Sequence, residues 1–565
     1  MLTHALTQPL TGSMTQPLTG FGLGVFPILE LPQADLTRKI ISGLWEDTRT
    51  DEILLADHEG LIKTIPGGEL PYQDGRVNQN LWPTSDSSDT PTTQVITVIS
   101  GHEYQLAIGS GSGAGATAIC SGAFTGTLTG DASNRISWVS GNPKTASTTS
   151  LTVTISGDVA EIYLEDVTGQ ANQNPSEYLV ADGSSSGFAT YVTANANTVD
   201  GSGVVTEAVG SVLSPVPTLV HYPASTNLIP QSANWSTWWA QIDAVVTNDA
   251  VAPNGYLEAD KITELSAVQN MCRAYITDTV SVNDSYTFSL WVKLTGAGEG
   301  DGTFDLIIVR ADAGTYETTS ITITATSAWQ RVEVPHTFIY VHTAIAGHIT
   351  TRAGGVTELH VWGAQFEKLA FSTPIIPTAG ATASRDTVGI RHPFAGYFNQ
   401  AAYTVVFDHT WSVAQTDLSA TDMGMVAVQE NATSVMFADS AGFKSADGTN
   451  TPLVDPTFIA DNKWRCVVHG AAGGDFQVSE KDIDGVGTWV HGSALSYDGV
   501  FTEGSGWINL CYGNVYPVVI QHLSIYDINM TTEQIEELPA SDIQFLLPSG
   551  ATFELPDGST FIFPG

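Results

Sequence analysis

Positive charge is scarce in this 565-residue chain. Lysine and arginine total 20 against 59 aspartates and glutamates, which gives a formal net charge of −39. A field of this sign repels phosphate backbones and anionic lipid headgroups, so nucleic acid and membrane surfaces are poor candidate partners. No stretch approaches the roughly 20 apolar residues of a membrane span, and the first 30 residues contain no lysine or arginine. We expect no membrane insertion and no ordinary secretory export.

Cysteine is also rare. The four cysteines, Cys120, Cys272, Cys466 and Cys511, lie far apart, form no CxxC pair and select no disulfide pairing. We expect reduced, buried thiols in a protein that folds in the cytosol. The 13 histidines include no HExxH motif, so neither a metal site nor any cofactor is predicted.

Helical periodicity is almost absent, and alternation of apolar and polar residues takes its place. One short helix is expected at 531–539, with Thr531 or Thr532 as N-cap and Pro539 as stop. Strands are expected in TQVITVIS, HEYQLAIG, SLTVTISG, AEIYLED, SYTFSLWVKL, FDLIIVR, SITITATS, QRVEVPHTF and ELHVWGAQFE. Turn residues separate them at a spacing of about 8 to 12 residues, as in β-sandwiches. The sequence therefore predicts an all-β chain of tandem β-sandwich or jelly-roll domains with extended N- and C-terminal segments.

Both ends of the chain carry short repeats. LTQPLTG at 6–12 is followed by MTQPLTG at 14–20, and LPSGATFE at 547–554 by LPDGSTFI at 555–562. Units this short do not bury their own apolar residues, so we expect both ends to dock on another protein; for the N-terminus a disordered tail is the alternative. Short apolar runs and turns in 21–79 indicate a small β-rich docking region. The N-terminal docking residues are expected to be Leu6, Pro9, Leu10, Pro17 and Leu18.

Two segments look like copies of one module. NLWPTS at 80–85 and NLIPQS at 227–232 share Asn-Leu-x-Pro-x-Ser, and each precedes a β-rich stretch of domain length. Each copy ends in a strand with an acidic residue, which we call its closing strand, and then runs into proline, at Pro175 and Pro374. We expect the closing strand to complete a sandwich and the prolines to lead the chain out without further strand pairing.

A family resemblance covers most of the chain. The motif residues are Asn227-Leu228, Trp235, Pro253-Asn254-Gly255, Ala259-Asp260-Lys261, Tyr286 to Lys293, Trp362-Gly363-Ala364-Gln365 and Glu367. Through these residues, the segment 217–385 resembles modules that recur in tailed-bacteriophage virion proteins. Those modules are similar in fold to carbohydrate-binding modules. On the segments 402–411, 462–470 and 522–538, residues 386–540 resemble the concanavalin A/laminin-G jelly roll.

The resemblance implies five regions. These are a virion-anchoring region at 1–92, a first β-sandwich module at 93–216, a second, carbohydrate-binding-module-like one at 217–385, a concanavalin A/laminin-G-like jelly roll at 386–540, and an extended tail at 541–565. It also implies a non-enzymatic structural component of a phage particle, assembled in the bacterial cytoplasm. A homotrimeric tail fibre or spike-type appendage is expected, bound to other virion proteins through its ends and displaying modules for host-surface glycan. Two alternatives stay open: a capsid-exterior decoration or head-fibre protein, and a polysaccharide-degrading virion enzyme.

Aromatic residues are the candidate carbohydrate-binding groups. An exposed aromatic plane stacks on the apolar face of a sugar while neighbouring polar groups bind its hydroxyls. The candidates are Trp238, Trp239, Trp489, Trp507 and Tyr512. Trp235 is expected in the core from its match to the module pattern, and burial of Trp238 and Trp239 is the alternative to a surface role.

No catalytic signature stands out. GSSSG at 183–187 fits Gly-x-Ser-x-Gly but lies in a low-complexity loop without the strand-to-helix elbow of a hydrolase. DIDG at 482–485 lacks the full set of oxygen donors of a calcium loop and is typical of a hairpin turn. In so acidic a chain, nominating two carboxylates as a glycosidase pair carries almost no information. We predict no enzymatic activity.

Overall fold

The computed structural model describes most of residues 46–538, with the strand Leu29–Glu30 before them and the strands Thr552–Glu554 and Thr560–Ile562 after them. The described residues fall into two compact units. One contains Pro32–His392 and Asn509–Gln521, and the other Met1–Leu31, Pro393–Ile508 and His522–Gly565. The longer stretches outside the described residues are 1–28, 31–45, 83–92, 177–187, 207–217, 264–270, 394–401, 412–422, 428–433, 445–452, 455–461, 497–506 and 539–551.

Antiparallel sheets make up nearly all of the regular structure, which confirms the predicted all-β class with tandem sandwiches. The first sandwich has two sheets. Its closing sheet, named for the closing strand Val159–Asp166, also contains Glu103–Ser110, Arg135–Ser137 and Lys144–Thr145. Its opposite sheet consists of Gly126–Thr129, Thr117–Gly122, Ser150–Ser156 and Thr93–Thr97, in that order.

The second sandwich is larger, with five strands in each sheet. Its closing sheet orders Val245–Val251, Leu257–Thr263, the closing strand Leu359–Glu367, Ser285–Leu294 and Gln330–Thr337. Its opposite sheet orders Ala240–Ile242, Met271–Val280, His342–Thr351, Thr303–Arg310 and Thr318–Thr324. Alternate side chains of both sheets fill one core that includes Phe288, Phe304 and Phe366.

Shorter strands lie outside these four sheets. The remaining strands of the larger unit are Glu46–Asp47, Ile53–Ala56, Ile62–Ile65, Tyr72–Gln73, Arg76–Asn80, Phe188–Val192, Thr198–Val199, Val205–Thr206, Thr218–His221, Ser225–Asn227, Ala383–Arg385 and Ile390–Pro393.

An N-terminal hairpin, Ile53–Ala56 with Ile62–Ile65, packs on its own chain. Leu54 and Ile62 join Trp362 in an apolar cluster on the outer face of the second sandwich's closing sheet. The backbone N–H of Ile62 also donates to the Pro253 carbonyl at 3.0 Å. This part of 21–79 therefore packs on the second sandwich, and docking of the N-terminal region on another protein stays a prediction.

The shared Asn-Leu-x-Pro opening has one structural role in both sandwiches. In the first, the Asn80 side chain accepts from the backbone N–H groups of Trp82 and Leu164, at 3.0 and 3.2 Å, and donates to the carbonyl of Ile162 at 3.1 Å. Ile162 and Leu164 belong to the closing strand. The asparagine therefore holds the start of the module against its end.

Asn227 repeats this arrangement in the second sandwich. Its side-chain oxygen accepts from the backbone of Ile229 and Phe366, at 3.0 and 3.1 Å, and its amide donates to the carbonyls of Ala364 and Ile376, at 3.1 and 3.0 Å. All four hydrogen-bonding positions of a buried amide are thereby filled. The correspondence with Asn80 supports the reading of the two segments as copies of one module.

A buried glutamate in each closing strand holds the proline exit. Glu165 accepts from the backbone N–H and hydroxyl of Ser176 at 2.9 and 2.7 Å. Glu367 accepts from the same two groups of Thr373, at 2.9 and 2.6 Å. Ser176 and Thr373 each lie next to the proline of the exit. The acidic residue noted in each closing strand therefore orders the departing chain, which is why strand and prolines occur together.

Gly363 explains the small residue within the Trp-Gly-Ala-Gln motif. Its φ is +64°, and a Cβ atom there would collide with the Ile375 side chain of the exit segment. Only glycine combines this backbone conformation with so close an approach. The motif residues of the resemblance thus serve the contact between closing strand and exit.

The smaller compact unit contains a second group of sheets and the predicted helix. Its strands include Ala402–Trp411, Met423–Ala427, Ser434–Asp439, Gly442–Lys444, Leu453–Val454, Lys463–Ala471, Asp475–Asp482, Val490–His491 and Leu495–Ser496. Trp507–Leu510 and Val518–Tyr526 are the last long strands of the chain. A buried pair in this unit joins Arg465 to Asp408, at 2.7 and 2.8 Å.

The helix spans Thr532–Glu536, as predicted. Thr531 caps it: its hydroxyl accepts from the backbone N–H of Gln534 at 3.3 Å, and the Gln534 side chain accepts from the backbone N–H of Thr531 at 2.9 Å. This reciprocal pair is a capping box. Ile535 packs in the core. The helix and Thr531 as its N-cap are therefore both confirmed.

Three of the four cysteines can be compared with the prediction. Cys120, Cys466 and Cys511 are buried, which confirms the predicted burial of these three residues. Burial raises the pKa of the Cys120 thiol to about 12, so this group stays protonated. The side chain of Cys272 lies outside the described part of the chain.

Candidate functional site

The tryptophan cluster of the second sandwich is mostly core. Trp235 is fully buried, which confirms its predicted place. The ring of Trp239 lies flat on it, with centroids 3.8 Å apart and planes 3° apart. One turn of helix, Trp235–Trp238, followed by a hydrogen bond from the Trp239 N–H to the Trp235 carbonyl, brings these side chains four residues apart onto one side.

This geometry corrects the prediction for Trp239. The side chain is only 4% exposed, and its indole N–H donates to the Gln231 carbonyl at 3.2 Å. One ring face meets Trp235 and the edge is bonded, so no plane is open to a sugar. Trp238 is half-buried and packs edge-on against Trp239. Its predicted surface role therefore stays a prediction.

The other predicted aromatic residues lie elsewhere in the sequence. Trp489 belongs to the smaller unit, where it is half-buried, packs against the helix-bearing core and stacks on His491 with centroids 6.2 Å apart. Trp507 begins the strand Trp507–Leu510, but its side chain lies outside the described residues, as does all of Tyr512. Carbohydrate binding by these residues stays a prediction.

The predicted docking residues Leu6, Pro9, Leu10, Pro17 and Leu18 also lie outside the described residues. So do the serines of 183–187. At the C-terminus, Thr552–Glu554 and Thr560–Ile562 pair with each other as antiparallel strands. Each strand comes from one copy of the terminal repeat, so the described parts of the two copies pair with each other.

The two sheets of each sandwich differ in what covers them. In the first sandwich, Tyr163 and Glu165 point outward from the closing sheet yet are buried, and Arg135 lies over the Tyr163 ring. In the second, Trp362 points outward and is covered by the N-terminal hairpin and Ile375. The chain's own segments thus occupy both closing sheets. The opposite sheets are the faces left to solvent.

The opposite sheet of the second sandwich carries a distinctive polar row. Arg273 pairs across the sheet with His348, and His348 with Ile307. Residues 274 and 276 of the same strand lie in the core, so Arg273 and Tyr275 point outward. Tyr275 is 42% exposed, and the Arg273 guanidinium lies over its ring, 4.0 Å from the centroid. We call Arg273, Tyr275 and His348 the Arg-Tyr-His face.

The Arg-Tyr-His face combines a charged group with neutral ones. Burial and the neighbouring Arg273 lower the pKa of His348 to about 3, so its imidazole is neutral at pH 7. Burial also lowers the pKa of Arg273, but the guanidinium stays charged. The face therefore offers one cation, one neutral donor and acceptor, and one aromatic ring. These are the groups that a sugar-binding surface uses.

Sequence reasoning missed this face. The strand Met271–Val280 was not among the predicted strands, although its outward positions 273, 275 and 277 follow the period of two. The signal lay in a cation and an aromatic residue two positions apart on the polar side of a strand. His348 had no local signal, because only the sheet register places it beside Arg273.

A second polar cluster lies at one end of the same sandwich. His342 is buried between Asp312, at 3.2 Å, and Glu317, at 3.0 Å. Hydrogen bonds from the backbone of Thr343 and Gly314 lower the pKa of Asp312 to about 2. The cluster ties together two loops. These contacts hold the two loops in place, because each ring nitrogen of His342 already faces a carboxylate.

Comparisons with known proteins give limited information. No family model matches the chain, and no curated protein matches it. Among solved structures, the xylan-binding CBM22-1 domain of Paenibacillus barcinonensis Xyn10C is 14% identical with a TM-score of 0.21, covering 26% of this chain and 94% of that domain. The CBM22-1–CBM22-2 tandem of the same protein is 11% identical with a TM-score of 0.21, covering 53% and 98%.

A phage protein is also among the similar structures. The enzymatically active domain of bacteriophage CBA120 tailspike protein 4 is 11% identical with a TM-score of 0.20, covering 25% of this chain and 21% of that one. Scores this low carry no functional argument. Within the described residues, no helix has the length and apolar character needed to cross a bilayer, and no group of three or more His, Cys, Asp or Glu side chains is arranged to hold a metal ion.

Proposed function

We propose that this chain is a glycan-binding structural protein of a phage particle, and that the Arg-Tyr-His face of the second sandwich is its binding surface. The observation that carries the proposal is the exposed Tyr275 ring beside Arg273, on a sheet that no described segment of the chain covers. A flat aromatic plane next to hydrogen-bonding groups suits the alternating apolar and polar faces of a sugar.

The virion setting rests on the motif residues of 217–385. These residues hold the sandwich and its exit. Asn227 bonds to the closing strand, Glu367 bonds to Thr373 of the exit, and Asp260 accepts from the Trp235 backbone N–H at 2.7 Å. They are therefore marks of a module rather than of a binding site. We propose a homotrimeric, non-enzymatic tail fibre or spike-type appendage that contacts other virion proteins through its ends.

Glycan binding is tested with the purified full-length chain on immobilised polysaccharides from bacterial cell surfaces. We expect Tyr275→Ala to weaken retention at least tenfold. Tyr316→Ala is the matched control, because Tyr316 is an exposed tyrosine of the same sandwich that lies outside the face. Equal retention of both variants and the parent chain, or no retention of any, would show that this face does not bind glycan.

The virion proposal has its own test. Antibody labelling of purified particles of the virus that encodes the chain, viewed by electron microscopy, should mark the tail. Labelling of the capsid exterior would favour a decoration protein instead, and absence from particles would rule out both. A fall in polysaccharide viscosity on incubation with the pure protein would contradict the non-enzymatic assignment.

A further inference from the structure

The Arg-Tyr-His face carries a positive charge that has no acidic partner among the described residues. The chain has 59 acidic residues and 20 basic ones, and several of the other described cations have acidic partners. Lys261 lies 2.9 Å from Glu358, Lys368 lies 2.8 Å from Asp284, and Arg465 is bonded to Asp408. Within the described part of the chain, Arg273 has no such partner.

Two buried nitrogen atoms of this face also lack partners. The Nε atom of Arg273 and the Nε2 atom of His348 are both inaccessible to solvent, and neither makes a hydrogen bond within the described structure. His348 as a whole is only 7% exposed. A buried polar atom without a partner is unfavourable, so the described contacts of the chain leave this face incompletely satisfied.

The geometry points to a carboxylate-bearing glycan as the ligand of the Arg-Tyr-His face. The planar guanidinium of Arg273 matches a carboxylate with two parallel hydrogen bonds. The sugar ring carrying that carboxylate would lie against Tyr275. This inference rests on the proposed glycan-binding role and narrows it to one class of ligand.

Charge further restricts the ligand to isolated carboxylates. The face offers one cation, and the net charge of −39 repels any dense polyanion. A sulfated or phosphorylated polymer, or a continuous polyuronate, would bring many charges for one favourable contact. A glycan with one uronic acid among neutral sugars brings a single charge to a single guanidinium.

The experiment uses the full-length chain and two matched probes. One probe is an aldobiouronic acid, a disaccharide with one uronic acid, and the other is its methyl ester, which has the same sugars without the charge. Binding is measured by calorimetry or saturation-transfer NMR in about 0.15 M salt, at which exposed charges are largely screened beyond roughly 8 Å. We expect the acid to bind at least tenfold more tightly than the ester.

Variants assign that preference to the face. Arg273→Gln should abolish the difference between acid and ester, and Arg273→Lys should restore part of it, because lysine keeps the charge but not the planar fork. Arg310→Gln is the control and should keep the full difference. Arg310 also lies over a tyrosine of the second sandwich, Tyr316, 5.8 Å from its centroid.

Several results would overturn the inference. Equal binding of acid and ester, with loss of both in Tyr275→Ala, would leave a glycan site that does not read charge, so the proposed function would survive without this refinement. Failure of both probes at millimolar concentration, or tighter binding of dextran sulfate, would reject the isolated carboxylate. If Arg273→Gln instead dissociates an oligomer in light scattering, the partner of Arg273 is a carboxylate from a second copy of the chain.

Discussion

The first and second sandwiches share their internal framework and differ in the face they leave to solvent. Asn80 and Asn227 hold the two module starts in the same way, and Glu165 and Glu367 hold the two exits. The opposite sheet of the first sandwich displays mainly serine and threonine, with Val95 and Ile119 exposed among them. That of the second displays the Arg-Tyr-His face. One framework thus supports a surface rich in serine and threonine in one copy and the proposed binding surface in the other.

The largest effect is expected from Trp239, the core tryptophan of the second sandwich that stacks on the indole of Trp235. Trp239→Ala should lower the free energy of unfolding of this sandwich by about 4 kcal/mol, because it removes a buried ring and leaves a cavity. The half-buried Trp238→Ala should lower it by about 1 kcal/mol. Calorimetry of the full chain would measure both. A smaller loss for Trp239 than for Trp238 would contradict the assigned burial.

The shared asparagines come next. Asn227→Ala leaves two backbone N–H groups and two carbonyls without their partner, and should lower the stability of the second sandwich by about 3 kcal/mol. Asn80→Ala removes the partner of the Trp82 and Leu164 backbone N–H groups and of the Ile162 carbonyl, and should lower the stability of the first sandwich by about 2 kcal/mol. Urea unfolding followed by tryptophan fluorescence would resolve the two. If each variant weakens the other sandwich equally, the two copies do not fold as separate modules.

Acid should weaken the second sandwich through His348. Its folded pKa of about 3 lies below the unfolded value of about 6.5, so between these pH values the unfolded chain binds a proton that the folded chain does not. Stability is unaffected above pH 6.5 and falls by about 1.4 kcal/mol per pH unit below it, or about 2 kcal/mol at pH 5. Unfolding curves at pH 7 and 5 would show this loss. His348→Asn should remove that part of the pH dependence, and an unchanged slope in the variant would exclude this imidazole as its source.

The smallest effect is expected on the first sandwich's exposed face. Ile119→Thr replaces an exposed apolar side chain among threonines and should change stability by less than about 0.5 kcal/mol. Glycan retention should not change, in contrast to Tyr275→Ala. A loss of retention in Ile119→Thr would show that the first sandwich also binds, and the distinction between the two faces would fail.

Local sequence pattern predicted part of this structure but did not predict its candidate site. Nine strands of the two sandwiches, the helix at Thr532–Glu536, the buried Trp235 and the repeated asparagine followed from residues within one short segment. Trp239 was misjudged because a single helical turn inside a β-rich chain rotates it onto Trp235. His348 lies far from Arg273 in sequence, and only strand pairing brings them together.

The sequence by itself determined the all-β class, the two module copies and the acidic field, because alternation, duplication and charge are properties of neighbouring residues or of the whole composition. The tertiary structure decided which faces are covered and which are free. An alternating strand always offers two faces, and its period does not say what packs on either. That depends on where the hairpin Ile53–Ala56 and Ile62–Ile65 and the proline exits come to lie, and their packing on the closing sheets leaves the Arg-Tyr-His face to solvent.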